Sequence, residues 1–444
     1  MLGLCGGDSP KVMKVAYFSP FPPKQTGIAT YSDHLVRELR NLMPVDCYDF
    51  HNDRADDPST TFGDFAGFGR VSDLRRYDAV VYHVGNNPHF HLDILKILRH
   101  WPGIVVLHDV VVYYLFAGLG TPGLLKYLWI VEGDNGLDSL KEIVDNSIGH
   151  DILCYPHPER HPLTSALFPY ATHIIVHNRS AKEQILKMGY TGPIDVIPLA
   201  FASADAELNA KELEKLRQKH GITSDELVIG CFGFIGPTKR IAQICRALST
   251  LREHLKFRLL VVGEGENVRP AIESAGLSEV TIRTGFVEDA QFSQYLGLTD
   301  IVVNLRYPSM GESSLTLLRA QTLGKPVIVT RDATFAELSD EIACKIDTGP
   351  NEEGDLAVAI ETLARDPCAR ARMGEAARRY AETILDGARI ARQFQRAIES
   401  NIKRRAQNSL AFDSSSGKGV ELAADMLRRS LTRAVPEHLP KYFP

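Results

Sequence analysis

Short apolar runs rich in β-branched residues recur along this chain. Between several of them, apolar positions return every three or four residues. In the first half the runs fall at 14–19, 79–83, 104–108 and 173–177, with 196–199 as another. Runs of this length read as buried strands. Residues 28–40 set Ile28, Tyr31, Leu35 and Leu39 on one helical face. The segment 200–213 is rich in alanine and acid and lacks a strand signal, after which the pattern restarts. Strands are predicted at 227–232, 258–262, 280–283, 301–305 and 327–330. Helices are predicted at 240–251 and 315–323, with Gly324 as the C′ glycine. A helical stretch over 355–400 is expected to close the second unit. This alternation predicts an α/β protein with two Rossmann-like domains facing across a cleft. The expected division is an arm at 1–13, a first domain at 14–200, a linker at 201–213, a second domain at 214–385, a closing helix at 386–408 and a tail at 409–444.

Composition narrows the chemistry. With 444 residues, two or more domains are expected, and 44% hydrophobic residues provide a full core. The net charge of −5 does not favour a nucleic-acid partner. Seven scattered cysteines form no CxxC pair, which fits a reducing compartment rather than a disulfide or zinc framework. No apolar run reaches the roughly 18–20 residues of a membrane span, so a cytoplasmic protein is expected.

Polar groups collect at the ends of the predicted strands, where open parallel sheets bind ligands. The turn "PPKQTG" brings Gly27 after the first strand, either as a simple tight turn or as a point of close approach for a phosphate. His108 ends the strand 104–108, and His83, Asn86, Asn87, His89 and His91 lie in and just after the strand 79–83. No cysteine or carboxylate is spaced to complete a metal site with these histidines, so they are expected to line a polar cleft or cap a loop. The turn "GFIGPTKR" places Gly233, Phe234, Lys239 and Arg240 at a helix start. Cations are electrostatically disfavoured there unless they serve an anion. "LLVVGEGE" adds Gly263 and Glu264, for which a tight turn is an equal explanation. Last, "RYPSMGESSL" carries Arg306, Gly311, Glu312, Ser313, Ser314 and Leu315 into a helix. A helix start favours an anion, and a carboxylate in the same turn suits hydroxyls. That pairing points to a sugar phosphate or nucleotide sugar.

Together with "GFVEDAQFSQYLGLTDIVVNL" and "GESSLTLLRAQTLGKPVIV", these stretches resemble the retaining nucleotide-sugar glycosyltransferases of family 4, which have the GT-B architecture. The resemblance runs from about residue 14 to residue 400. It implies a donor bound mainly to the second domain and a glycan or lipid-linked acceptor bound to the first, near Asn86 and His89. It further implies transfer with retention, helped by His108, Lys239 and Glu312, with no cofactor and no obligatory metal. The sequence departs from the family twice. Phe234 stands in the place of an arginine, leaving Arg240 or Arg306 to supply a second charge. Arg319 stands where the family has a ribose-contacting glutamate, so a structural ion pair is the expectation for it. Gly311 occupies the first glutamate's place, with Glu312 one position later.

Other readings stay open at this level. The same fold serves epimerases and phosphorylases, and a silent nucleotide-sugar-binding subunit of a glycan-assembly complex would need only the cleft. Tandem domains of this kind also close on periplasmic ligands, but no export signal supports that here. Beyond the match, 409–418 is expected to be a flexible linker. Residues 420–435 form a basic amphipathic pattern, with eight Lys/Arg against four Asp/Glu over 403–444. For that helix, docking on the first domain, disorder, and peripheral contact with the inner face of an anionic membrane are the alternatives.

Overall fold

A computed structural model describes residues 13–49, 71–199 and 208–414. The first half contains β1 (Val15–Phe18), β2 (Val45–Tyr48), β3 (Ala79–Val84), β4 (Gly103–Leu107), β5 (Ala171–Val176) and β6 (Ile194–Val196). They form one parallel sheet in the order β2-β1-β3-β4-β5-β6. The second half contains β7 (Leu227–Phe232), β8 (Phe257–Val262), β9 (Thr281–Gly285), β10 (Ile301–Asn304), β11 (Val327–Thr330) and β12 (Cys344–Ile346). Their order, β12-β11-β10-β7-β8-β9, is the 3-2-1-4-5-6 arrangement of dinucleotide-binding folds. Every residue of β3, β4, β10 and β11 is buried, because helices cover both faces of each sheet and leave no solvated side for polar residues.

Strand order reverses between β1 and β3 in the first sheet and between β7 and β10 in the second. At such switch points the loops leave in opposite directions and open a crevice beyond the strand ends. The turns after β1, β3, β7 and β10 carry most of the residues singled out in the sequence.

Three expectations need correction. The stretch 355–400 is helical, in three helices, Glu352–Arg365, Pro367–Ile384 and Gly387–Ser414, but it does not close the second domain alone. The last of these returns to the first domain. Ile390, Phe394, Ala397 and Ile398 share a core with Tyr17, Tyr31, Leu35 and Leu39, and Asn401 Nδ2 donates to Thr172 Oγ1 at 3.0 Å. The expected linker 201–213 overlaps the helix Ala210–Lys219, and the expected loop 409–418 begins inside the helix that runs to Ser414. The amphipathic pattern 420–435 lies outside the described residues. Among those described, no helix is long and apolar enough to cross a membrane.

Candidate functional site

β7 ends in a turn that folds Lys239 inward. Gly233 takes φ +91° there, and a Cβ on it would lie 3.5 Å from Lys239 Nζ. Lys239 is only 3% exposed. Its ammonium donates to the Phe232 carbonyl at 2.5 Å and lies 3.4 Å from Asn304 Oδ1 at the end of β10. Burial drives its pKa well below the ordinary lysine value, and neighbouring Arg306 lowers it further. A buried ammonium with neutral hydrogen-bond partners, beside a second cation, is an arrangement that a bound polyanion would stabilise.

The neighbouring turn tightens this one. Carrying Cβ atoms, Gly263 and Gly265 would meet the carbonyl oxygens of Gly233 and Ile235 at 2.0 and 2.1 Å. Ile235 N donates to Glu264 O at 2.8 Å and Glu266 N donates to Ile235 O at 2.6 Å. The alternating glycines therefore let two backbones lie against each other. Beside them a cavity of about 310 Å3 is lined by Ile235, Glu264, Arg283 and Gly285, among others.

After β10, Glu312 turns back on its own loop. Its Oε2 accepts from Met310 N at 2.7 Å, and its Oε1 is 3.7 Å from Arg306 Nε. Ser314 caps the helix Leu315–Thr322 by accepting from Leu317 N at 3.2 Å. This turn also meets the first domain. Val110 N and Val111 N donate to Met310 O at 2.7 and 3.0 Å, and Asn178 Nδ2 donates to Gly311 O at 3.1 Å. Gly311 takes φ +79°, and a Cβ there would strike the Val110 side chain. Gly27 lies across from Leu315, with 3.7 Å between its Cβ position and the leucine side chain.

The first domain contributes a chain of imidazoles. His177 Nδ1 lies 2.8 Å from the Ile197 carbonyl, which can only accept, so this nitrogen carries the proton. His177 Nε2 must then accept from His108 Nδ1 at 3.2 Å, and His108 Nε2 from His83 Nδ1 at 2.9 Å. Burial pushes all three below the ordinary imidazole range, His177 to about 4. Both ring nitrogens of His108 are thus engaged within the protein. Its neighbour Asp109 faces the cleft instead. Burial, and then Glu312 on the opposite domain, raise its carboxyl to about 7, while Asn86 N donates to it at 2.8 Å.

Several expected site residues are held elsewhere. Arg240 is paired with Glu352, its Nε 2.7 Å from Oε1, because its left-handed backbone (φ 57°) turns the guanidinium toward that buried carboxylate. Of the two arginines considered, it is Arg306 that lies beside Lys239. The Phe234 side chain is 75% exposed. Asn86 brackets a loop, accepting from Tyr114 N at 2.8 Å. His89 is exposed in the first turn of the helix Pro88–His100, its amide donated to Asn87. Arg319 pairs with Asp289 and stacks 4.9 Å from the Phe292 ring centre. Sequence reasoning missed Asp109 and Asn178. Both immediately follow a strand-end histidine, and that position was the available signal.

Residues 212–380 match the family described as glycosyl transferases group 1. Among curated proteins, the chain is 26% identical to an alpha-D-kanosaminyltransferase of Streptomyces kanamyceticus, over 39% of this chain and 45% of the relative. It is 23% identical to an uncharacterised glycosyltransferase of Methanocaldococcus jannaschii, over 44% and 51% respectively. The chain thus spans about half the length of the curated relatives it matches. Among solved structures, Anabaena HepE in complex with UDP-glucose superposes with a TM-score of 0.61 at 17% identity, covering 87% of this chain and all of that one. WaaG, a glycosyltransferase involved in lipopolysaccharide biosynthesis, gives 0.59 at 16% identity, covering 85% and 98%. The chain therefore has the two-domain GT-B fold, and its second domain is a glycosyl transferases group 1 domain.

Proposed function

We propose that this protein is a retaining glycosyltransferase of family 4 type. It moves a hexosyl group from a nucleotide-sugar donor to a glycan or lipid-linked acceptor, in cell-surface polysaccharide or glycoconjugate synthesis at the cytoplasmic side of a membrane. The observation that carries this reading is the buried ammonium of Lys239 beside Arg306 at the strand-order reversal of the second sheet. In this reading the donor diphosphate lies between Lys239, Arg306 and the amides around Ser313, Ser314 and Leu315. Its base enters the cavity beside Glu264 and Gly285. As the bond to the anomeric carbon breaks, charge grows on the leaving phosphate, and these fixed donors stabilise it without reorganisation. Lys239 and Arg306 supply the cationic charge in place of an obligatory metal. Glu312 and Asp109, from opposite domains, accept from sugar hydroxyls. His108, with both ring nitrogens engaged by His177 and His83, fixes the strand end that carries Asp109 and does not contact the sugar.

The test is donor hydrolysis and transfer with purified protein, starting from UDP-glucose and extending to GDP-, ADP- and dTDP-sugars. Lys239→Ala is expected to lower turnover by about ten- to a thousandfold, by analogy with the removal of one preorganised transition-state donor. Unchanged kinetics would take Lys239 out of the site. One observation favours a silent donor-binding subunit: Phe234 and Arg240 together leave the phosphate turn one cation short. Donor binding without hydrolysis or transfer for every sugar would establish that reading instead.

A further inference from the structure

The helix Leu315–Thr322 has a second face, turned away from Arg319, that carries Leu317, Leu318 and Gln321. This face lines a cavity of about 910 Å3 between the two domains, within the range of small-molecule sites, roughly 300–1,000 Å3. The cavity lies where the chain crosses between domains, with Leu199 on one crossing and Leu385 on the other. Gln321 is 0% exposed, and among the described residues neither atom of its amide has a hydrogen-bond partner. Across from it Gln393, on the helix seated against the first domain, has a carbonyl oxygen in the same condition. A buried amide without partners is costly in a fold that otherwise satisfies its polar groups.

We propose that this cavity is a second carbohydrate site, taking a neutral oligosaccharide whose hydroxyls pair with Gln321 and Gln393 and whose ring face lies against Tyr380. The wall chemistry selects this class. Arg179, Glu337, Glu341 and Arg379 line the cavity but are exposed, at its rim. Its inner wall offers the amides of Asn178, Gln321 and Gln393, the hydroxyls of Ser313 and Ser314, apolar surface and His177, whose imidazole burial keeps neutral, so a phosphate would lose hydration there without meeting a buried cation. A purely apolar ligand would leave the two amides unpaired. A hydroxyl both donates and accepts, as a primary amide requires. Because Gln321 belongs to the second domain and Gln393 to a helix packed on the first, the ligand bridges the domains. The cavity shares Ser313 and Ser314 with the proposed donor site but is not lined by Lys239 or Arg306, and the inference holds whether or not Lys239 binds a diphosphate.

Isothermal titration of the full chain with maltotriose, cellotriose, triacetylchitotriose and mannotriose tests it. At least one is expected to bind with a millimolar or lower Kd. Gln321→Leu should weaken that binding by about tenfold or more, the worth of two neutral hydrogen bonds. Gln393→Leu should weaken it as well, and Lys239→Ala should leave it unchanged. Circular dichroism melting checks the fold of Gln321→Leu, whose midpoint should be no lower than wild type. If that variant does not fold, Gln393→Leu decides alone. No binding by any of the four, wild-type affinity in the folded glutamine variants, or loss of binding in Lys239→Ala would each overturn the proposal.

Discussion

His108 and Asp109 are adjacent, yet burial moves their protonation in opposite directions. The imidazoles of His83, His108 and His177 are held neutral, and Asp109 keeps its proton up to about pH 7. For His177, with a folded pKa of about 4 against 6.5, the stabilising contribution is complete above pH 6.5 and is lost as pH falls toward 4. For Asp109, with about 7 against 3.8, it is complete below pH 3.8 and is lost as pH rises through 7. Asp109→Asn should therefore gain stability relative to wild type as pH is raised from 4 to 8, because only wild type must ionise a buried carboxyl. Melting midpoints of the two proteins across that range check it, and parallel curves would mean Asp109 does not titrate there. Nitrogen-detected NMR should find His177, His108 and His83 all protonated on Nδ1 at neutral pH.

At the scale of elements, the tested contact is that between the turns after β7 and β8. Gly263→Ala forces a Cβ onto the Gly233 carbonyl, so it should both lower stability and distort the turn that carries Lys239. Gly349 has the same φ of +134° with nothing within 4 Å of its Cβ position. Gly349→Ala thus isolates the backbone strain, about 1–3 kcal/mol. Gly263→Ala should cost more than this control by thermal melting and alone should weaken nucleotide binding. The central strands of both sheets were legible in the sequence because burial on both faces makes them unbroken apolar runs. β2 and β12 were not, since they are short edge strands that interrupt the pattern with Asp46 and Lys345. Lys239 was legible as a cation where a helix start disfavours one. The pairing of Arg240 with Glu352 was not, because 112 positions separate them and only folding brings them together. The imidazole chain was hidden for the same reason, since it draws one histidine from each of β3 and the loops after β4 and β5.

Over the whole molecule, the last helix joins the two halves. Phe394 is fully buried in a core otherwise built largely from residues 15–106. Phe394→Ala should therefore cost about 3–5 kcal/mol and be felt in the first domain. Hydrogen exchange in the helix Gly27–Arg40 should accelerate, while β7 and β8 stay protected. Equal loosening of both domains would show instead that they unfold as one unit. Another contact between the halves is Glu337, whose carboxylate accepts from Arg179 N at 3.2 Å and Ser180 N at 2.6 Å at a helix start of the first domain. It occupies the place an anion would take at such a terminus.

The return of that helix also bears on how the chain comes to be folded at all. Synthesis runs from the amino terminus, and domains generally fold as they emerge. The first domain cannot complete one of its two cores that way here. Tyr31, Leu35 and Leu39 wait for side chains made some 350 residues later, a separation set by Leu39 and Ile390. During that interval the nascent first domain presents an uncovered greasy face, a natural target for chaperones. A first domain expressed alone would keep that face for good, and should be recovered as aggregate unless residues 387–407 are supplied in trans.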